Sequence, residues 1–309
     1  QIVPINGNQS NTGVGLWSGS HGVGGLVTLH ELPIEGISSQ VSINSSGQVA
    51  YTTHNGGNNY RLRRYDPGAG QSLEINTLPI TPTTIGSSSI SDSAIIGYRA
   101  GLSSGNGLAS TGAGSSVLHA VDNNVFPGPI AFIYTPTMNE HRLLACKVSI
   151  GDFDHNEIRS IASDGSYSTV AVDAATDVNS PFLRFDNGLA FNDNGQVAVA
   201  LSLVAGNVRA IYRFTPTDSG VLTVEIARVE PAGTIRAIES FAPSMNSNGL
   251  VVFRARDANG QAIYVGDGQS LQRVIGKGDP AATDLGPARI GQHIDNPTSW
   301  PIFSGAPEV

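Results

Sequence analysis

The sequence predicts an all-β chain assembled as a tandem repeat of sheet-sized units, and three observations carry that expectation. An Asn-x-x-Gly turn followed by a β-prone run recurs at Asn44–Gly47, Asn192–Gly195 and Asn246–Gly249, continuing as QVAYT, QVAVAL and LVVFRA. Short apolar stretches also flank Gly/Ser turns in six hairpins anchored at Gly24, Gly70, Gly114, Gly165, Gly220 and Gly268, spaced 46, 44, 51, 55 and 48 residues apart. The runs themselves are short and rich in β-branched and aromatic residues, which suits strands and not helices.

Taken in order along the chain, each unit reads as four short strands joined by tight turns. Asn tolerates the left-handed backbone region and Gly enters it without steric cost, so the first turn of each unit closes cheaply. SDSAIIGYRA at 91–100 and NEHRLLACKV at 139–148 keep the apolar run but have lost the Gly. A repeat of this size and content is that of a β-propeller blade. The segment 1–19 aligns with 250–268, so the chain begins inside a blade, at its second strand. WPIFSGAPEV at 300–309 is the expected first strand of that blade. The expectation is a single domain, a six-bladed propeller with blades over 300–309 plus 1–32, 38–78, 85–121, 130–172, 185–229 and 238–275. Pairing of the two chain ends in one blade would leave no free sheet edge.

At NSNGLVVFRARDANGQAIYVGDGQSLQRVIGKGDPA, residues 246–281, the chain resembles the tandem repeats of a bacterial secreted and surface group. Its pattern is Asn-x-x-Gly-x-x-x-Phe, then a Gly-Asp-Gly turn and a Gly-Asp-x-Ala segment. Residues 192–229 match it well, 44–78 match in part, and the other blades are degenerate. The resemblance implies a propeller exposed outside the cell, extracellular or on its surface, and implies no reaction. If the protein is exported, its signal has been removed from this chain. Aromatic-rich blades like those of six-bladed fucose lectins are missing, since the only tryptophans are Trp17 and Trp300.

Composition narrows the function classes. The net charge is −8, and the 15 Arg and two Lys are scattered except for RLRR at 61–64. A nucleic-acid partner would call for a basic field, so none is expected. A single cysteine, Cys146 in LLAC, excludes an internal disulfide framework and reads as a buried thiol. No run approaches the roughly 18 apolar residues of a membrane span. The seven histidines show no zinc-ligand spacing.

If first-to-second and third-to-fourth strand turns share one face, function is expected on the other, where second-to-third turns and inter-blade connections can vary. The longest connection, 276–302, carries the candidate ligand-binding residues Lys277, Asp279, Arg289, His293, Asp295 and Trp300. The stretch 173–187 is the next longest. In DFDHNE, Asp152, Asp154 and Asn156 alternate as calcium-loop ligands do, although Glu157 replaces the expected Gly and Ser163 the closing Glu. His54, Tyr60 and Arg61, with His293, are the candidates for lyase-type chemistry, in which Arg neutralises a uronate and His or Tyr moves a proton.

The sequence therefore leads to an exported, monomeric binding module that takes a glycan or protein ligand at its loop-rich face and central channel. It needs no cofactor, with Ca2+ the one ion the spacing suggests. A polysaccharide lyase or glycoside hydrolase is the alternative, and a structural surface repeat the third reading.

Overall fold

A computed structural model describes residues 2–4, 12–20, 23–32, 36–37, 41–55, 59–75, 77–78, 82–112, 114–122, 130–151, 153–283 and 286–290, with backbone alone for 2–37, 87 and 281–288. Five antiparallel sheets follow one another, each a meander in which neighbours in sequence are neighbours in space. Blade I comprises Gly36–Ile37 with Ser42–Ile43 as a broken first strand, then Val49–His54, Tyr60–Asp66 and Gln71–Glu74. Blade II runs through Thr84–Ile90, Ile96–Leu102, Gly105–Gly112 and Ser115–Val121. Blade III has Ile130–Ile133 with Thr137–Met138, Leu144–Ile150, Asn156–Ile161 and Tyr167–Val172. Blade IV is Phe182–Phe191, Val197–Leu203, Arg209–Thr217 and Gly220–Arg228. Blade V is Ala237–Ile238 with Ser244–Met245, Val251–Arg256, Gln261–Gly266 and Leu271–Gly276.

The expectation of six blades is corrected by this count of five among the described residues. The chain's first strands, Ile2–Pro4, Thr12–Ser20 and Val23–Leu32, form a three-stranded sheet, and no fourth strand pairs with it among the described residues. The segment expected to close it, 300–309, lies outside the described residues. A two-stranded hairpin, Pro280–Thr283 with Gly286–Arg289, follows blade V.

In blades I to IV the second strands are buried on both faces, which explains why they read as nearly continuous apolar runs, while that of blade V alternates. Every residue of Val197–Leu203 is buried. Four apolar clusters fill the spaces between successive blades. One joins Ala50 and Leu62 of blade I to Ile96 and Tyr98 of blade II, and another joins Ile211 and Ile226 of blade IV to Val251 and Phe253 of blade V. Cys146 is fully buried in a third, and burial pushes its thiol up to about 12.

The repeated turns bind blade to blade. In each, the first residue's side chain caps its own turn: Asn44 accepts from the Gln48 amide at 2.9 Å, Asn192 from Gln196 at 3.0 Å and Asn246 from Leu250 at 2.9 Å. The same side chain then donates forward, Asn44 to the Ser91 carbonyl (2.9 Å), Asn139 to that of Asn192 (3.3 Å) and Asn192 to that of Asn246 (2.9 Å). One residue further on, backbone amides donate to the next turn's carboxylate, from Ser45 to Asp92 at 2.7 Å and from Glu140 to Asp193 at 2.8 Å. Blade II starts its turn with Ser91, whose hydroxyl caps the Ile95 amide at 3.1 Å. There the forward link is made by the Asp92 and Ser93 amides, which both donate to Glu140, Ser93 at 3.0 Å.

The turns also share a left-handed residue at the fourth position. Gly47, Gly195 and Gly249 adopt φ of 74°, 73° and 79°, and where the Gly is lost, Ala94 and Arg142 take φ of 60° and 61°. The backbone geometry outlasts the residue that suits it. Gly195→Ala is expected to destabilise by about 1–2 kcal/mol through backbone strain alone, and Ala94→Gly to stabilise by up to about 1 kcal/mol, both read from urea unfolding midpoints. Asn192→Asp keeps the cap but turns a carboxylate toward the Asn246 carbonyl. It is expected to cost more than Asn192→Ala, itself roughly 2 kcal/mol. An unchanged midpoint for Asn192→Asp would mean that the link to the next blade is energetically silent.

Candidate functional site

Because each blade is a meander, the Asn turns and the third-to-fourth turns lie at one end. The opposite end carries the second-to-third turns and the connections between blades. First strands touch the first strands of neighbouring blades, so their starts and the ends of the second strands surround the mouth of the axis on this loop-rich face.

Eight residues beyond the first residue of the turn, the second strands of blades II, III and V carry a cation in otherwise apolar runs: Arg99, Lys147 and Arg254, with Thr52 and Ala200 in blades I and IV. Each cation lies over an aromatic ring. The Arg99 guanidinium stands 4.7 Å from the centre of Phe132, the Lys147 ammonium 3.9 Å from that of Tyr134, and Arg254 3.7 Å from that of Phe241. Contacts of this kind gain strength when desolvated. Lys147 is 8% exposed, and its Nζ donates to the Phe185 carbonyl at 3.3 Å. Burial pulls the Lys147 ammonium below the usual lysine value, and the charges of Asp186 and Asp173 oppose the shift. Burial also lowers Arg99, against Asp122 and Tyr134.

The carboxylates nearby are engaged. Both Asp122 oxygens accept from Asn106, each at 2.7 Å. Asp173 accepts from the Asn156 side chain at 2.9 Å and from the Thr176 hydroxyl at 2.8 Å. Asp186 is clamped by two 2.6 Å bonds from Arg209. In blade V, Glu239 pairs with Arg254 and takes a 2.6 Å bond from Arg256, so that cation is neutralised.

Around this mouth, blades III and IV expose apolar side chains. Phe153 (64% exposed), Val178 (87%), Leu183 (40%) and Val204 (50%) all belong to its turns, connections or strand starts. Phe153 packs on Phe132 at 5.8 Å between ring centres, and Phe132 on Tyr134 at 4.8 Å. The other exposed large apolar groups, such as Leu222 and Val274, stand on fourth strands. The expected site stretch 173–187 contributes Val178 and Leu183. The cations at the repeat position are a further feature of the mouth, and aligning the five second strands on the turn reveals it.

The other expected site residues are placed as follows. His54 and Tyr60 flank the second-to-third turn of blade I with stacked rings 5.5 Å apart, and Arg61 pairs with Glu74 at 3.3 Å. Lys277 is exposed at the end of blade V. Asp279 accepts from Arg273 (2.6 Å) and the Gly276 amide (2.7 Å), which ties it to the fourth strand of blade V, and Arg289 of the hairpin donates to the Gly278 carbonyl (2.6 Å). His293, Asp295 and Trp300 lie outside the described residues, as does Asp152. Asp154 is exposed, whereas Asn156 turns into the blade, accepting from the Ser149 hydroxyl at 2.9 Å and donating to Asp173. Among the described residues, no group of three or more His, Cys, Asp or Glu is placed to hold a metal ion.

One pair resembles a nucleophile and its base: Ser110 Oγ lies 2.9 Å from His119 Nε2. Both side chains are fully buried, so the pair ties strands together and meets no substrate.

Antiparallel four-stranded blades set around a common mouth, with one face spent on cohesion and the other on variable loops, define a β-propeller. The chain belongs to a family of unknown function, DUF7453, whose model matches residues 90–298. No curated protein matches the sequence. Among solved structures, prolyl oligopeptidase B from Galerina marginata aligns at 12% identity over 89% of this chain and 42% of its own, with a TM-score of 0.55. That likeness is one of fold, and this chain spans less than half of that protein. A Lactobacillus plantarum protein aligns at 12% identity over 94% of this chain and 88% of its own, TM-score 0.49. A chain of a nidogen/laminin complex does so at 12% over 84% and 87%, TM-score 0.47. Among the described residues no helix is long and apolar enough to cross a membrane.

Burial, with the Arg142 charge adding to it, pulls His119 down to about 4, while the carbonyls of Ala162 and Ile161 oppose the shift. The unfolded chain, with an ordinary histidine near 6.5, then takes up a proton that the folded state refuses. Stability should fall as pH drops from about 6.5 to about 4, by up to roughly 1.4 kcal/mol per pH unit from this group. Urea midpoints measured across that window should decline more steeply for the unmodified protein than for His119→Gln. Parallel curves would remove His119 as the cause.

Proposed function

We propose that this protein is an exported ligand-binding module that takes a glycan at the loop-rich mouth of blades II to IV. The observation that carries the reading is the gathering of Phe153, Val178, Leu183 and Val204 on that one face, beside the Phe132 and Tyr134 rings. Exposed apolar groups that gather on a loop-bearing face mark an interaction site more often than scattered ones do. An accessible aromatic ring offers the flat apolar surface on which the C–H face of a sugar packs, and the stiff blades hold that ring in place at little entropic cost. Asymmetry supports a single principal site: a lectin repeating its pocket in every blade would carry the aromatic pair in each, whereas Thr52 and Ala200 break the pattern in blades I and IV. Export is part of the same proposal and rests on the repeat resemblance.

Incubation with neutral and uronate-containing polysaccharides, followed by size-exclusion chromatography, tests the reading. The expected result is co-elution with a polymer whose length does not change. Shortened polymer would replace the binding module with a carbohydrate-active enzyme, and elution apart from every polymer would overturn glycan binding. Phe153→Ala is expected to weaken the interaction about tenfold without moving the thermal midpoint, because the ring is already largely in solvent.

A further inference from the structure

Resting on that reading, we infer that the mouth holds a carboxylate-binding subsite, formed by Arg99, Lys147 and Arg184, and that the glycan it takes is built from uronates. The protein as a whole is acidic, with a net charge of −8, yet Arg99, Lys147 and Arg184 of three consecutive blades make no direct ion pair among the described residues, the charges of Asp122, Asp173 and Asp186 acting on the first two from further off. Arg99 of blade II rests on Phe132, and its Nε is buried without a hydrogen-bond partner among the described residues. Lys147 of blade III rests on Tyr134 and reaches only a carbonyl. Arg184 of blade IV, adjacent in sequence to the Phe185 that supplies that carbonyl, is exposed and donates to the Ser202 hydroxyl at 3.3 Å.

The neighbouring acids do not compensate. Asp122, Asp173 and Asp186 are each engaged by amides, a hydroxyl or Arg209, so they temper the local field without pairing directly with the cations. Blade V shows what a closed arrangement looks like, because there Glu239 occupies both Arg254 and Arg256. A buried or half-buried cation that lacks an anion keeps its desolvation cost until one arrives. The ligand's own carboxylate is the anion that fits the other contents of the mouth.

The class of ligand follows from the arrangement. Two flat rings lie between two cations, in the order Arg99, Phe132, Tyr134, Lys147, with ring centres 4.8 Å apart between the two aromatic members. A uronate carries an apolar ring face and a carboxylate on one rigid unit, so it can stack and pair at once. Acidic side chains of a peptide bear carboxylates on flexible stems with no ring to stack.

Calorimetric titration of the intact protein with polygalacturonate and alginate, with the methyl ester of polygalacturonate and with polyglutamate, separates the outcomes. Binding to the polyuronates is expected, at least tenfold stronger than to the ester and weakening as salt rises from 50 to about 300 mM. Arg184→Gln, on an exposed side chain whose loss should leave the fold intact, is expected to weaken polyuronate binding about tenfold and leave ester binding unchanged. Arg99→Gln should do the same, with circular dichroism confirming that each variant is folded. Equal affinity for acid and ester would overturn the carboxylate subsite and leave the glycan module standing. Binding to polyglutamate with none to the polyuronates would overturn the uronate class. Failure to bind any of the four would overturn both the subsite and the reading beneath it.

Discussion

Apolar contact between stacked sheets has no direction, so something else must fix where one blade sits against the next. In this protein that constraint is the side chain opening each repeated turn. Asn44, Asn139 and Asn192 each use the carbonyl oxygen to cap their own turn and the amide nitrogen to reach the next blade's turn. The side-chain amide places an acceptor and a donor on two separate atoms of one tip, so it can serve both partners at once. An aspartate would cap without linking, and a serine, as at Ser91, is too short to do both. Where Ser91 interrupts the series, the forward link moves one residue on to the Glu140 carboxylate. The chain thus preserves the connection and varies the chemistry that makes it.

This commitment explains the division of labour between the faces. The turn-bearing end has its backbone amides, asparagines and acids engaged in holding blades together, leaving little there that could vary without loosening the ring. At the other end, the connections answer only to their own blades. The connection 173–181 illustrates the difference: Asp173 and Thr176 order the loop locally, while Val178 between them and blade IV is left in solvent. Substitution at such a position changes what the face can contact and leaves the packing between blades untouched.

Much of the fold was legible because turns leave a strong local signature. The hairpin anchors Gly70, Gly114, Gly165, Gly220 and Gly268 all adopt positive φ at third-to-fourth turns. The blade count was not legible to the same degree. Whether a distant C-terminal segment supplies a first strand depends on pairing between chain ends, and periodicity carries no information about that. The site was less legible still. Loop length drew the reading to 276–302, but length says only that a segment is unconstrained. Asp279 is tied to the fourth strand of blade V, and Arg289 to the Gly278 carbonyl just ahead of its hairpin. Asn156 shows the same limit from another side: alternate spacing suggests an outward ligand, but Asn156 opens the third strand of blade III and turns toward Asp173, while Asp154 stays exposed in the turn before it.

The more informative signal was a conflict. Second strands buried on both faces have no place for a charge, and YRAG, ACKV and VFRA each set one in the same register. A cation that interrupts an apolar run carries a desolvation cost that the fold does not require, as Ala200 at the same position demonstrates. In blade V that cost is offset by direct pairing with Glu239, whereas in blades II and III the offset comes from aromatic rings, a carbonyl and the more distant charges of Asp122, Asp173 and Asp186, with no carboxylate in direct contact among the described residues. Rings stabilise a cation without neutralising it, so Arg99 and Lys147 keep their capacity to meet an anion. Sequence patterns that oppose the local demands of folding are therefore the place to look for function in repeat proteins of this kind. Here they lead to one sector of one face, the same sector in which Phe153 and Val178 are left exposed.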